Sequence, residues 1–261
     1  MIAATAAIFA PAAGILAGLT YATVAPSCGF WGPVVSRGPA GSHRVAITFD
    51  DGPTPGATDV ILDALRDAGV RATFFVIGVN VRKHPGLLRR IHAEGHLIAN
   101  HSFNHSHYGV MRLRRYWLRE IIETDAAIEA VIGVRPAMYR PPVGLKTGHT
   151  FSAMRSTPHA MITWSRRAID GLPTTPQRIM GRFINVADGE ILLLHDGVEP
   201  HARNADRSAT IAAVPMLLDQ LRRANLAPVR LDELLGIPGY QSTGVTAAGA
   251  AAELTDAGAA R

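Results

Sequence analysis

The chain has 261 residues, of which 48% are hydrophobic and 18% are charged, so it can form a packed core and wholesale disorder is excluded. Its single cysteine, Cys28, excludes an internal disulfide framework and any cysteine-rich zinc module. The formal net charge of +5 would suit a protein that binds nucleic acid. The 26 basic residues are spread along the chain, however, so we expect no nucleic-acid partner.

The N-terminal segment contains no charged residue before Arg37. Residues 3–25 are rich in Ala, Ile, Leu and Gly and are about long enough to cross a bilayer, although the basic residues that usually begin a signal peptide are missing. We therefore predict a signal peptide or a membrane anchor over residues 1–27, with residues 3–25 as the segment that could attach to a membrane. Residues 28–43 are rich in Gly and Pro, which predicts a linker.

Residues 44–240 alternate between strand and helix patterns. Short apolar runs predict strands at residues 44–49, 72–77, 96–99, 135–139, 159–164, 190–194 and 227–230. Apolar residues at helical spacing predict helices at residues 58–68, 87–93, 111–132, 175–186 and 209–224. This alternation indicates a parallel sheet, and we predict an α/β fold with a single domain, a distorted (β/α) barrel of about seven parallel strands. Residues 241–261 lack apolar periodicity and are predicted to be a disordered tail.

Polar side chains follow most of the predicted strands. They are Asp50 and Asp51, His101 and His105, Arg140, Asp170, and His195. Because the carboxyl ends of parallel strands meet on one face of a barrel, we expect these side chains to converge on one pocket, although they span 145 positions of the sequence. The apolar Leu193, two residues before His195, is expected to line that pocket.

The spacing His-x-x-x-His suits a metal site, because two imidazoles four residues apart on a helical turn face the same side. Alone this is a weak signal in a chain with 11 His. One carboxylate of the Asp pair completes a His-His-Asp set with an open position for water, which is typical of catalytic zinc. The sequence therefore predicts a divalent metal, with Zn²⁺ favoured and Co²⁺, Ni²⁺ or Fe²⁺ as alternatives. The other Asp is then the candidate base, oriented by Arg140, and His195 is the candidate acid.

Four segments taken together resemble a known family. They are Thr48–Pro53 (TFDDGP), Asn100–His105 (NHSFNH), Arg140–Gly144 (RPPVG) and Leu193–Asp196 (LLHD). Their order and spacing are similar to those of the NodB-homology polysaccharide deacetylases, which form family four of the carbohydrate esterases, and the resemblance covers about residues 44–235. It implies a metal-dependent hydrolase that removes acetyl groups from N-acetylated sugars of peptidoglycan, chitin-like or other envelope glycans. A cell-envelope location, either membrane-anchored or secreted, follows from that substrate.

The resemblance also implies a role for each matching residue. Asp50 would be the general base, Asp51 would bind the metal beside His101 and His105, and the backbone N–H of Val143 would stabilise the oxyanion. By the same match, Arg140 would orient Asp50 and His195 would be the general acid. The remaining candidates for the substrate site are Pro142, Trp164 and Leu193.

Two positions depart from the pattern of the family. Val143 stands where a Tyr is usual, and Arg167 stands where an Asp normally pairs with the acid His. Asp170 is the remaining candidate partner of His195, while Arg166 and Arg167 could instead contact an anionic group of the substrate. For Arg166, an exposed position in a loop is the favoured alternative. Two alternatives therefore stay open, which are an O-acetyl esterase acting on acetylated polysaccharide and a catalytically silent carbohydrate-binding barrel.

Overall fold

A parallel β-sheet forms the centre of the protein. The computed structural model describes residues 2–200 and 206–242, with side chains from residue 13 onward. The strands are β1 (Arg44–Asp50), β2 (Thr73–Val76), β3 (Leu97–Asn100), β4 (Met138–Tyr139), β5 (Ala160–Met161), β6 (Arg166–Arg167), β7 (Ile191–His195) and β8 (Ala227–Pro228). Seven of them pair side by side in the order β5-β4-β3-β2-β1-β7-β6, and β8 pairs with the first residues of β1. The sheet curls into a half-barrel, which confirms the predicted α/β barrel of about seven parallel strands.

Helices surround the sheet. They are α1 (Ile2–Val24), α2 (Thr58–Asp67), α3 (Gly78–Lys83), α4 (Pro85–Ala93), α5 (Arg114–Ile132), α6 (Gly148–Met154), α7 (Pro176–Arg182), α8 (Ser208–Arg223) and α9 (Leu231–Leu235). Short 3₁₀ turns occupy His107–Met111 and Pro142–Gly144. The sequence patterns predicted α2, α4, α5, α7 and α8 but missed α3, α6 and α9. These three helices have five to seven residues, which is too short for a periodic apolar stripe to stand out.

The strands are buried on both faces. Alternate residues of β1 point to opposite sides, so Ile47 and Phe49 pack against the surrounding helices while Ala46 faces the interior of the barrel with Phe75 and Leu193. Burial of this kind explains why the strand sequences are continuous apolar runs. Each fully buried Ile, Leu or Phe side chain contributes about 1.5–3 kcal/mol to stability relative to an exposed one. The core therefore fixes the register of the strands whose carboxyl ends carry the polar residues.

The segment predicted as a linker, residues 28–43, makes ordered contacts with the barrel. The Val35 N–H donates to the carbonyl of Met161 at 2.9 Å, and the Thr163 N–H donates to the carbonyl of Val35 at 2.8 Å. Two residues later, Arg37 forms a β-bridge with Glu190 and an ion pair with its carboxylate at 2.6 Å. The segment thus contacts the chain just after β5 and just before β7.

The apolar N-terminal segment and the C-terminal tail are only partly covered by the described residues. Within the described part of the chain, no helix is both long enough and apolar enough to cross a membrane. Helix α1 coincides with the apolar segment, but the side chains of residues 2–12 lie outside the described residues. Of the predicted tail, residues 243–261 also lie outside the described residues. Gln241 donates to the Asp125 carboxylate at 3.1 Å and to the Pro136 carbonyl at 2.7 Å.

Candidate active site

A small cavity lies where the strands end at their carboxyl side. Its volume is about 280 Å³, and the predicted residues that line it are Asp50, Asp51, His101, His105, Val143, Trp164, Leu193 and His195. Arg140 and Asp170 are buried behind these side chains and contact them directly. Pro142 is buried as well and does not line the cavity, so its place in the substrate site stays a prediction. The fold therefore brings the predicted catalytic and metal-binding residues together.

The turn after β1 directs two adjacent carboxylates into this cavity. Residues next to each other on a strand point to opposite faces, but Asp51 adopts a left-handed conformation with φ of 75°, which ends the strand. Asn80 donates to the carbonyl of Asp51 at 2.8 Å and fixes the turn. Gly197 lies so close that a Cβ atom there would stand 2.0 Å from the carbonyl carbon of Asp51, so only glycine permits this approach.

Arg140 balances the charge of Asp50. Both side chains are almost completely buried, and Nη1 of Arg140 donates to Oδ1 of Asp50 at 2.6 Å. The same nitrogen donates to Oγ1 of Thr48 at 2.9 Å, and Nη2 donates to the carbonyl of Thr163 at 2.9 Å. The guanidinium also lies 3.9 Å from the ring centroid of Phe75. A buried charge-assisted pair of this kind is stable only when the remaining donors are also satisfied, as they are here.

Asp51, His101 and His105 form a cluster that fits a divalent cation. Their candidate ligand atoms all lie within 4.8 Å of one another, and Oδ1 of Asp51 is 3.5 Å from Nε2 of His101 and 3.3 Å from Nε2 of His105. Nδ1 of His101 donates to the carbonyl of Arg140 at 2.8 Å, which leaves the Nε2 lone pair facing the carboxylate. Oδ1 of Asp51 is buried and has no hydrogen-bond partner within the described ranges. Lone pairs that face each other in this way call for a cation between them.

The pKa values of the two histidines follow from the same geometry. Burial alone would lower the pKa of His101, but the nearby charges of Asp50 and Asp51 raise it overall, so a positive charge is favoured at this point. Burial lowers the pKa of His105 to about 4, which keeps its ring neutral and able to act as a ligand. The neutral ring of His105 can act as a ligand directly, whereas at His101 a metal cation would take the place of the proton.

The segment that carries the two histidines is a loop, so the predicted helical turn is wrong. Ser102 and His105 adopt left-handed conformations with φ of 66° and 52°. Glu120 of α5, which is buried, holds the loop by accepting from the N–H groups of Phe103 at 3.0 Å and Asn104 at 2.8 Å. It also accepts from the side-chain amide of Asn104 at 2.7 Å. The histidine rings converge because this carboxylate satisfies the backbone of the loop.

His195 pairs with Asp170. Nδ1 of His195 lies 2.7 Å from Oδ1 of Asp170, and the His195 backbone N–H donates to Oδ2 at 2.9 Å. Thr210 donates to the same oxygen at 2.8 Å. Burial alone would lower the pKa of His195, but the charge and hydrogen bond of Asp170 raise it to about 9. Asp170 thus supplies the carboxylate partner that Arg167 cannot provide.

A strained turn borders the cavity on another side. Val143 has a φ of 56°, a left-handed conformation that costs a β-branched residue roughly 1–2 kcal/mol, and its side chain is half exposed. The next residue, Gly144, packs so tightly on Trp164 that a Cβ atom there would lie 2.3 Å from the indole ring. Trp164 and Leu193 are themselves buried and give the cavity an apolar wall.

Three polar residues that support the site were not among those predicted from the sequence. They are Glu120 beneath the histidine loop, Thr210 beside Asp170, and Glu199, whose Oε1 lies 3.7 Å from Nδ1 of His105 and whose Oε2 lies 2.8 Å from Nε2 of His107. His105, His107 and Glu199 also bring three candidate ligand atoms within 4.8 Å of one another at the rim of the cavity. Glu120 and Thr210 lie on helices and sit in no motif, so only their tertiary contacts identify them.

A family model described as Polysaccharide deacetylase matches residues 37–162. The chain is 32% identical to a peptidoglycan-N-acetylglucosamine deacetylase of Bacillus cereus over 76% of this chain and 90% of that protein. It is 34% identical to a chitooligosaccharide deacetylase of Sinorhizobium fredii over 72% of this chain and 89% of the relative. The crystal structure of the Bc1960 peptidoglycan N-acetylglucosamine deacetylase is similar with a TM-score of 0.74 and 27% identity, over 80% of this chain and 95% of that one. The chain belongs to the polysaccharide deacetylase family, as its motifs predicted.

Proposed function

We propose that this member of the polysaccharide deacetylases hydrolyses the acetamido group of N-acetylated sugars in an envelope glycan, with a bound divalent metal. One observation carries the proposal. The cluster of Asp51, His101 and His105 opens into the same small cavity as the Asp50 carboxylate and the His195 imidazole. A metal centre, a candidate base and a candidate acid around one cavity are the groups that amide hydrolysis requires.

The substrate and location are part of the proposal. The relatives from Bacillus cereus and Sinorhizobium fredii are named for peptidoglycan N-acetylglucosamine and chitooligosaccharides, and both names describe polymers or oligomers of N-acetylated sugars. Because peptidoglycan lies outside the cytoplasm, we place this enzyme in the cell envelope, with residues 1–27 as the segment that would export or anchor it.

Asp51, His101 and His105 would hold the cation. When bound there, it supplies a Lewis acid that polarises the acetamide carbonyl and lowers the pKa of a water molecule. The imidazole and carboxylate ligands are those that Zn²⁺ prefers in catalytic sites, which makes Zn²⁺ the favoured ion among those predicted. The hydrogen bond from Nδ1 of His101 to the Arg140 carbonyl keeps the ring oriented for binding.

Asp50 is the proposed general base. Its Oδ1 atom is committed to Arg140 at 2.6 Å, so Oδ2 is the oxygen that is left to take a proton from the attacking water. Arg140 holds the carboxylate in one rotamer and stabilises its negative charge in a site from which bulk water is excluded. The backbone N–H of Val143 is the proposed donor to the acetamide oxygen as that oxygen becomes negatively charged.

His195 is the proposed general acid. Because Nδ1 is bonded to Asp170, Nε2 is the atom that would donate a proton to the nitrogen of the leaving amine. A pKa of about 9 keeps the ring protonated at neutral pH. The buried Trp164 and Leu193 side chains limit the access of further water to the reacting group.

Two substitutions separate base catalysis from metal binding. We expect Asp50→Asn to lower kcat for acetate release at least about a hundredfold, because it removes the proton acceptor, while the metal bound per chain stays unchanged. His101→Ala should instead lose the metal. Acetate release is measured on N-acetylchitooligosaccharides, and metal is measured by mass spectrometry on the same sample. Full activity of Asp50→Asn would refute the assignment of the base.

Substitution of Asp170 tests the acid through the pH profile. The acid must be protonated, so kcat/KM falls as the pH rises through the pKa of His195. Asp170→Asn removes the negative charge that raises this pKa, and the alkaline limb should therefore move to lower pH by about one unit or more. Asp67→Asn, at an exposed position of α2, is the matched control. An alkaline limb that stays in place in Asp170→Asn contradicts the role of this pair.

Substitution of Glu120 tests the support of the metal site. Glu120→Gln replaces one of the two acceptor oxygens by a donor, so the loop that carries the histidines loses at least one hydrogen bond. We expect the dissociation constant for Zn²⁺ to rise about 10- to 100-fold in a chelator competition assay. Glu123→Gln, at a partly exposed position of the same helix, should leave the dissociation constant unchanged. Equal Zn²⁺ affinities of the two variants would show that Glu120 does not position the ligands.

A further inference from the structure

Two consecutive arginines on β6 have different surroundings. Arg166 is bound by the protein itself, since it pairs with the carboxylate of Glu190 and donates to the carbonyls of Ile184 and Asn185, both at 2.8 Å. Arg167 stands opposite Leu193 in the register of β6 and β7, and both residues line the cavity. Because neighbouring residues of a strand alternate in direction, Arg166 is directed to the outer contacts and Arg167 to the cavity.

The charges around the cavity leave Arg167 unmatched. Each carboxylate that lines the cavity has a partner, which is Arg140 for Asp50, the histidine cluster for Asp51, and His107 for Glu199. Arg167 is exposed, and over residues 2–200 and 206–242 its guanidinium has neither an ion pair nor a hydrogen bond. A cation bound by Asp51 and the histidines would add further positive charge to the same cavity. The site therefore favours an anion beside the reacting sugar.

We propose that Arg167 is a specificity-determining residue that binds a carboxylate carried by the glycan, on or next to the sugar that is deacetylated. The inference rests on the proposed function and extends it to the class of substrate. A guanidinium presents two parallel N–H donors that match the two oxygens of a carboxylate. The cavity of about 280 Å³ is at the small end for ligand pockets, so a group that reaches both Arg167 and the metal cluster must be close to the acetamido group.

The test compares two glycans that differ only in charge. The probes are a tetrasaccharide of alternating N-acetylglucosamine and N-acetylmuramic acid with free lactyl carboxylates, and the same tetrasaccharide with those carboxylates converted to primary amides. Dissociation constants are measured by titration calorimetry on the zinc-loaded full chain. We expect the wild-type protein to bind the free acid at least fivefold more tightly than the amide. In Arg167→Gln this ratio should fall towards one.

Arg178→Gln is the matched control, because Arg178 is exposed on α7 and does not line the cavity. The substitution removes the same positive charge as Arg167→Gln. Its ratio of dissociation constants should equal that of the wild type. Thermal unfolding and zinc content of Arg167→Gln establish that the variant is folded and loaded. A wild-type ratio near one, or a ratio that Arg167→Gln leaves unchanged, overturns the inference.

Acetate release from both probes is measured in parallel and separates this inference from the proposed function. If the zinc-loaded wild type binds the free acid preferentially through Arg167 but releases no acetate from any N-acetylated glycan, the proposed function fails and the carboxylate site stands. If acetate is released but the ratio of dissociation constants does not depend on Arg167, the proposed function stands and the carboxylate site fails.

Discussion

Two adjacent carboxylates, Asp50 and Asp51, are almost completely withdrawn from water at the end of the central strand β1, and their negative charges must be balanced there. Arg140 balances Asp50, and it reaches that position because it directly follows β4. The two imidazoles of the loop after β3 face Asp51, and the proposed cation between them would complete the balance. The order of the strands therefore determines which charges meet, and the site depends on the parallel sheet as a whole.

Buried carboxylates also hold the surrounding groups in place. Glu120 fixes the histidine loop from α5, and Asp170 orients His195 while it accepts a hydrogen bond from Thr210 of α8. These contacts come from helices that pack on the outside of the sheet, so the rigidity of the core is transmitted to the reacting groups. Polar support of this kind keeps a catalytic side chain in one rotamer before the substrate arrives. Arg167 is different, because its charge is directed to the cavity and has no protein partner in the described part of the chain.

The sequence predicted the features that repeat or that cluster in motifs. The apolar runs located β1, β2, β3 and β7, and the polar residues at their ends predicted one shared pocket, which the structure contains. It could not predict β6, because two consecutive arginines carry no strand signal and acquire their conformation by pairing with β7. Nor could it predict the ordered path of residues 35–38, since a Gly- and Pro-rich composition does not show which edge of the sheet a segment contacts. The sequence alone could not determine whether His195 pairs with Asp170. The distance between these side chains depends on how β7 packs against the loop that follows β6.

The central claim is that a cation held by Asp51, His101 and His105 is required for hydrolysis. The direct test is to measure metal content and acetate release from N-acetylchitotetraose on one sample of the full chain, before chelation, after chelation and after Zn²⁺ is added back. This claim predicts about one metal ion per chain, loss of acetate release with the metal, and recovery of both on addition. Undiminished acetate release from protein shown to be free of metal would contradict it.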